Sequence, residues 1–157
     1  MKFWALPALL LLDVFSKKSA ALWLAPIQYG KYPFGGMGVF ADFLGISFSL
    51  NRIGNTGAAW GILPEHSTLL FVCRLAIILI LISYLLLNRS RNTFPFWLIA
   101  TGAIGNVIDY IVYGSVVDFF HFNFWGYSFP IFNFADSYIT IGIFILLLSR
   151  KKRIQTV

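Results

Sequence analysis

The chain has 157 residues, of which 59% are hydrophobic and only 11% are charged, and its mean hydropathy is +0.78. Soluble domains carry about 25% charged residues, so this composition excludes an ordinary soluble protein and predicts an integral membrane protein. The net charge of +6 is not spread over one face. Basic residues cluster at 89–91 and 150–153, as topology signals do, which argues against nucleic acid as a partner.

Apolar runs in chain order predict four transmembrane helices of about 20 residues each. They cover about residues 3–24, 67–87, 94–112 and 134–149. An even number of spans places both termini on one side of the membrane. Lys2 and the basic segments 88–92 and 150–153 then share that side, which the positive-inside rule makes cytoplasmic. The connections at about 25–66 and 113–133 are therefore predicted on the outer side.

The first helix carries three charged residues, Asp13, Lys17 and Lys18. They interrupt the apolar order of a cleavable signal peptide, so we expect this helix to be retained. Asp13 and Lys17 are four residues apart and therefore share a face of the helix, where their opposite charges neutralise each other.

Two outer segments alternate apolar and polar residues, which is the period of half-buried strands. One segment runs from Ile46 to Asn51 and the other from Phe120 to Phe124. Glycines within 35–38 are predicted to mark turns before the first strand, and residues 125–128 to turn the second strand back. We therefore expect an all-α polytopic membrane protein with four transmembrane helices and a small extracytoplasmic β-sheet.

Asp118 and Asp136 lie at the edges of two strongly apolar segments, where acidic side chains are costly. An unpaired charge at membrane depth costs about 2.5 to 3.5 kcal/mol on insertion scales, so such residues are candidates for function. Asp136 has a structural alternative, because it follows Asn133 by three residues and the two can cap the fourth helix. Asp118 lies in a strand-like stretch and has no such alternative.

The third span also has a polar face. Asn106 and Asp109 are three residues apart and point to one side of the helix, while Gly102 and Gly105 allow a neighbouring helix to approach closely. These polar residues either join helices through hydrogen bonds or support a site. Their spacing alone leaves both interpretations open.

Two close carboxylates share one proton, since both cannot ionise cheaply, and so can hydrolyse an amide without a metal or another cofactor. The sequence contains one cysteine and no His-Glu-x-x-His motif, so no metal site is predicted. The alternative is a non-enzymatic protein with buried acids, either a small membrane carrier or an envelope scaffold. A carrier is expected to place its acids near the midplane, whereas here they cluster at the outer ends of the spans.

Five short motifs follow one another along most of the chain. They are Asp13-x-x-x-Lys17, Asn55-Thr56-Gly57-Ala58-Ala59-Trp60, Gly105-Asn106-x-x-Asp109, Gly114-Ser115-Val116-Val117-Asp118-Phe119 and Phe132-Asn133-Phe134-Ala135-Asp136-Ser137. Their order and spacing resemble those of lipoprotein signal peptidase, the signal peptidase II family. The resemblance implies an aspartic endopeptidase of the bacterial cytoplasmic (inner) membrane. Such an enzyme removes the signal peptide from prolipoproteins just before the diacylglyceryl-modified cysteine.

The resemblance also implies which residues form the site. Asp118 and Asp136 correspond to the catalytic pair, on the outer side of the membrane. The supporting polar shell consists of Asp13, Lys17, Asn55, Gly57, Asn106, Asp109 and Asn133. Lipid-modified prolipoproteins and membrane lipids are the implied partners, no cofactor is implied, and residues 1–157 form a single membrane protease domain. Two positions depart from the family pattern, since Tyr110 replaces the usual Arg of the third-helix motif and Val14 replaces a common Gln.

Arg74 is not explained by the motifs. It lies seven residues past Ser67, which is about 10 Å into the second span at 1.5 Å per residue. Its guanidinium either extends to the outer headgroups or turns inward and pairs with an acid such as Asp13 or Asp109.

Overall fold

The computed structural model describes residues 5–28, 30–57, 64–87 and 93–154. Its helices are α1 (Ala5–Trp23), α2 (Ser67–Leu87), α3 (Phe94–Tyr113) and α4 (Phe134–Ile154), with a short 3-10 turn at Pro64–His66. Its strands are β1 (Met37–Phe43), β2 (Ile46–Asn55), β3 (Val116–Phe124) and β4 (Tyr127–Ser128). Along the chain, β1 and β2 follow α1, and β3 and β4 follow α3.

The four predicted helices are present. Their bounds agree with the prediction except at the end of α4, which continues to Ile154 instead of stopping at residue 149. Residues 3–4, where the first helix was predicted to begin, and the basic segment 88–92 lie outside the described residues.

Two helices among the described residues are long and apolar enough to cross a bilayer by length and composition. These are α2, over Thr68–Leu87, and α3, with mean hydropathies of 2.7 and 1.4. The apolar part of α4 is shorter. Two of the charged residues of α1, Asp13 and Lys17, are buried, so that helix does not present their charges to its surroundings.

The sheet is larger than predicted, so the description of the chain as an all-α protein is wrong and the fold is mixed α and β. Its four strands are antiparallel neighbours in the order β1-β2-β3-β4. The two predicted strands form parts of β2 and β3 and pair with each other, with Ser49 opposite His121. The predicted turn after β3 is confirmed, because Trp125 and Gly126 adopt φ angles of 49° and 85° before β4 returns.

The strand β1 was not predicted, because its one glycine, Gly38, and the two glycines just before it were assigned to turns. Gly35 does adopt a φ of 82°, as a turn requires. A Cβ on Gly36, however, would overlap the carbonyl oxygen of Leu50, and a Cβ on Gly38 would lie 2.5 Å from the hydroxyl of Tyr32. These two glycines therefore allow close approach of neighbouring chain segments beside and within the sheet.

The close helix packing predicted for α3 is confirmed. A Cβ on Gly102 would overlap the carbonyl oxygen of Ala135 in α4, and a Cβ on Gly105 would overlap the carboxylate of Asp13 in α1. The two glycines thus let α1 and α4 approach the same face of α3.

The connections before and after β3 bring Asp118 close to the first turn of α4, which contains Asp136. α3 ends at Gly114, whose left-handed φ of 72° turns the chain into β3 and whose N–H donates to the carbonyl of Tyr110. β3 pairs with β2 along one edge, and Phe120 bridges Phe132 on the other. Because Phe132 lies only two residues before the start of α4, this bridge places the first turn of α4 beside Asp118.

Candidate active site

Asp118 is the third residue of β3 and is 2% exposed. It faces Ile53 of β2, at the point where pairing resumes after a register shift between Leu50 and Ile53. Such irregularities bend a strand and redirect its side chains. Both oxygens of the carboxylate accept amide hydrogen bonds, Oδ1 from Asn133 Nδ2 at 2.6 Å and Oδ2 from Asn55 Nδ2 at 3.0 Å.

Asp136 lies in the first turn of α4 and completes the cap predicted from its spacing to Asn133. Its N–H donates to Asn133 Oδ1 at 2.9 Å, and its own Oδ2 accepts from the Asn133 N–H at 3.2 Å. This reciprocal pair is a capping box at the helix N-terminus. Asn133 therefore contacts both carboxylates, Asp136 through its backbone and Asp118 through its side chain.

Lys17 is completely buried between helices α1 and α3. Its ammonium lies 2.8 Å from Asp13 Oδ2 and 3.1 Å from Asp109 Oδ2, and it donates to Asn106 Oδ1 at 2.8 Å. The predicted pairing of Asp13 with Lys17 is therefore confirmed, and the second carboxylate comes from the polar face of α3. Asp13 also accepts the backbone N–H of Ala135 at 2.8 Å, which joins this cluster to the start of α4.

Three asparagine amides point their NH2 groups toward the Asp118/Asp136 pair. Each has its Oδ1 held by a group that can only donate: Lys17 Nζ for Asn106, the Asp136 N–H for Asn133, and the Gly57 N–H for Asn55. The opposite end of each amide must then donate. Asn106 Nδ2 donates to Asp136 Oδ1 at 2.9 Å, while the other two amides donate to Asp118. The orientation of each amide thus follows from its neighbours.

The surroundings of Asp118 favour the protonated form of its carboxyl group. Burial first, and then the negative charge of Asp136, raise the pKa of Asp118 from 3.8 to about 7. Hydrogen bonds from Asn55 and Asn133, and the charge of Lys17, act in the opposite direction. Below about pH 7 Asp118 therefore holds a proton, as expected for one member of two close carboxylates.

The predicted polar shell comes together around this pair. Asp13, Lys17, Asn106 and Asp109 form the buried cluster between helices, and Asn133 links it to Asp118. Asp109 also accepts the Val117 N–H at 3.0 Å and so fixes the start of β3. The segment 58–60 of the second motif lies outside the described residues.

Arg74 does not form the inward ion pair that was one of the two expectations for it. Lys17 occupies both candidate acids, and among the described residues Arg74 has no ion pair. Its Nη2 donates instead to the carbonyl of Gly57 at 2.7 Å. Tyr110, which replaces the usual Arg, stacks on Phe71 with ring centroids 4.9 Å apart. Sequence spacing did not reveal the Arg74 contact, because it joins a helix to a loop across 17 residues.

A second buried polar group in the sheet was also missed. Ser49, Asn51 and His121 are nearly inaccessible, and His121 contacts Asn51 at 3.2 Å and Ser128 at 2.8 Å. Burial lowers the pKa of His121, so its imidazole is neutral at pH 7. The hydrogen bonds of His121 join β3 to β2 and β4. Among the residues that the structure describes, the hydrogen bonds of this group do not reach Asp118 or Asp136.

A cavity of about 350 Å³ lies between α1, β2 and the end of α3. Its lining includes Arg52, Tyr113, Ser115 and Val117, but neither Asp118 nor Asp136. Ile53, the β2 residue opposite Asp118, also lines this cavity.

Comparison with known proteins agrees with this arrangement. A family model described as Signal peptidase (SPase) II matches residues 6–151. Lipoprotein signal peptidases of Staphylococcus aureus strains JH9 and Newman are 42% identical over 101 residues, which is 62% of this chain. The match spans 62% of the length of those relatives.

Two solved structures share the fold. One is a bacterial membrane enzyme determined by the in meso method at 2.3 Å resolution, with 31% identity and a TM-score of 0.74 over 94% of this chain and 85% of that one. The other, determined in the same way at 1.9 Å, is also 31% identical and has a TM-score of 0.71 over 92% of this chain and 88% of that one.

Proposed function

Because the chain belongs to the signal peptidase II family, we propose that it is an aspartic endopeptidase that removes the signal peptide from diacylglyceryl-modified prolipoproteins. Cleavage occurs just before the lipidated cysteine. The observation that carries this proposal is the pairing of Asp118 and Asp136 through Asn133, whose backbone N–H and side-chain amide contact one carboxylate each. Asp13, Lys17, Asn55, Gly57, Asn106 and Asp109 form the supporting shell.

The raised pKa of Asp118 supports a division of chemical roles between the two carboxylates. Asp136 acts as the base that accepts a proton from the attacking water, while protonated Asp118 donates to the carbonyl oxygen of the scissile bond. The water oxygen bonds to the carbonyl carbon, and the resulting diol intermediate collapses as the C–N bond breaks. The leaving nitrogen takes the proton from Asp136, and one hydroxyl of the intermediate returns its proton to Asp118. The proposed reaction steps use the two carboxylates and water and require no metal.

The exposed apolar surface of the sheet supports a substrate that carries lipid. Every residue of β1 is exposed, and the exposed side chains there include Phe43 at 67%, followed in the turn by Leu44 at 79%. Apolar surface of this kind is characteristic of contact with a membrane or an apolar ligand. Prolipoproteins and membrane lipids are therefore the partners that fit, and nucleic acid is not.

The orientation follows from charge and from the position of the pair. In this proposal all four helices cross the bacterial cytoplasmic membrane and both termini are cytoplasmic, because the positive-inside rule assigns the basic sequence segments 88–92 and 150–153 to that side. Asp136 is in the first turn of α4, and Asp118 follows the end of α3. Both carboxylates then lie at the outer ends of their helices, where the lipidated cysteine of a translocated precursor arrives.

The test is cleavage of a diacylglyceryl-modified prolipoprotein by the purified protein in detergent. Asp118→Asn and Asp136→Asn should each abolish cleavage without changing expression or membrane insertion, because neither carboxylate has a substitute. The matched control is Asp42→Asn, the same change on an exposed carboxylate of β1, which should cleave like the wild type. Near-wild-type cleavage by either active-site variant would show that the pair is misassigned. Absence of cleavage by the wild type would favour a carrier or scaffold.

A further inference from the structure

Arg74 is the single charged residue of α2 and lies within a stretch of mean hydropathy 2.7. A charged group at such a position costs about 2.5 to 3.5 kcal/mol on insertion scales, so it needs a partner within the protein. Among the described residues that partner is the carbonyl oxygen of Gly57, which accepts from Arg74 Nη2 at 2.7 Å. The hydrogen bond is charge-assisted and therefore stronger than one between neutral groups.

Gly57 connects this contact to the carboxylate pair. It is buried, and its N–H donates to Asn55 Oδ1 at 2.9 Å. The same asparagine donates through Nδ2 to Asp118 Oδ2 at 3.0 Å. If Gly57 moved, the amide of Asn55 would lose the donor that holds its oxygen away from Asp118, and a rotated amide would set two oxygens against each other.

On the basis of the function proposed above, we infer that Arg74 is a positioning residue for cleavage, which acts through the Gly57 carbonyl to hold the Asn55 amide on Asp118. It does not touch the reacting atoms. Its role is to keep one of the two amide donors in place on the carboxylate that supplies the proton.

The pH dependence of cleavage should report this role. The charged groups that act on Asp118 are Asp136 on α4 and Lys17 on α1, and Lys17 is itself paired with Asp13 and Asp109. The other titratable groups of the neighbouring strands bond elsewhere, since His121 contacts Asn51 and Ser128 and Arg52 donates to Ala21. Asp136 raises and Lys17 lowers the pKa of Asp118, and Arg74 is not among the direct causes. The Asn55 hydrogen bond lowers that pKa because it favours the ionised carboxylate. Losing it raises the pKa further, so the decline of activity at alkaline pH should begin at higher pH.

The experiment compares kcat, KM and pH profiles of Arg74→Gln and Arg74→Lys with the wild type. Arg74→Gln should lower kcat by about tenfold, the effect of one weakened charge-assisted hydrogen bond, with little change in KM. Its alkaline limb should move upward by roughly one pH unit. Arg74→Lys retains a cationic donor and should fall between Arg74→Gln and the wild type.

Two further variants separate positioning from general stability. Arg52→Gln is the matched control, because Arg52 Nη1 also donates to a backbone carbonyl, that of Ala21, at 2.7 Å but leads to no carboxylate. It should leave the pH profile unchanged. Asn55→Ala should shift the profile as Arg74→Gln does, and the double variant Arg74→Gln/Asn55→Ala should shift it no further, since both changes act on the same hydrogen bond.

An unshifted pH profile in Arg74→Gln, or effects of Arg74→Gln and Asn55→Ala that multiply in the double variant, would overturn the inference. If Arg74→Gln fails to fold, the same comparison with Arg74→Lys decides the matter. Either result leaves the proposed function intact as long as the wild type cleaves and Asp118→Asn does not.

Discussion

Replacing Lys17 by methionine tests how the buried cluster holds the helices together. The lysine is fully buried and pairs with two carboxylates from different helices, at 2.8 Å from Asp13 and 3.1 Å from Asp109. Methionine has a similar length and no charge, so Lys17→Met preserves much of the packing. It leaves two buried acids without their cation and Asn106 Oδ1 without its ammonium donor.

The expected loss of stability follows from the cost of a buried charge that has lost its partner. Removing one partner of a buried ion pair typically destabilises a protein by about 3 to 5 kcal/mol, because an uncompensated charge remains buried. In chains of about 150 to 250 residues, each kcal/mol corresponds to roughly 2 to 4 °C in Tm. We therefore expect Lys17→Met to lower the Tm by roughly 6 to 20 °C.

Thermal unfolding in detergent measures the loss, with Lys18→Met as the matched control. Lys18 is the neighbouring residue of α1 and is exposed, so its replacement should leave the Tm nearly unchanged. Adding Asp109→Asn to Lys17→Met removes one of the two remaining charges and should restore part of the Tm. Equal melting of Lys17→Met and Lys18→Met, or no recovery in the double variant, would refute the assignment of Lys17 as the cation that stabilises the cluster.

Three other outcomes follow from the same geometry. Cleavage by the wild type should decline as the pH rises through about 7, because the pKa of Asp118 lies there and the proposed reaction requires its proton; a pH profile of kcat/KM that is flat from 5 to 9 would contradict that role. A label placed after Val157 should report the cytoplasm and a label at Gly36 the outer side in a membrane-accessibility assay, and the reverse result would place the site on the wrong face. Gly105→Ala should lower the Tm in thermal unfolding and reduce cleavage, since its added Cβ overlaps the Asp13 carboxylate; wild-type values for both would mean that α1 can shift freely.

The sequence predicted the elements better than their assembly. Apolar runs predicted the helices, and alternation predicted the pairing segments of β2 and β3, because both patterns report on local periodicity. β1 was missed because glycines signal turns in sequence, whereas Gly36 and Gly38 are required by close neighbours. A single sequence does not record which distant segment approaches a glycine.

The candidate site divides in the same way. Spacing predicted the contact of Asp13 with Lys17 and the cap formed by Asn133 and Asp136, since each pair is three or four residues apart on one helix. The contacts between elements depend on how the helices pack. Lys17 reaches Asn106 across 89 residues, and no local rule selects that partner from the other polar residues of the chain.

Asp136 illustrates how one residue can serve both the start of a helix and a reaction. Its Oδ2 accepts the Asn133 N–H in the capping box, while its Oδ1 faces Asn106. In Asp136→Asn the amide oxygen can still accept the capping hydrogen bond, so the helix start is retained while the charge and the proton acceptor are lost. Asp136→Ala removes both functions at once, because the Asn133 N–H then also loses its acceptor. Loss of cleavage in Asp136→Asn with an unchanged Tm therefore reports the chemistry of the carboxylate, separately from its part in folding.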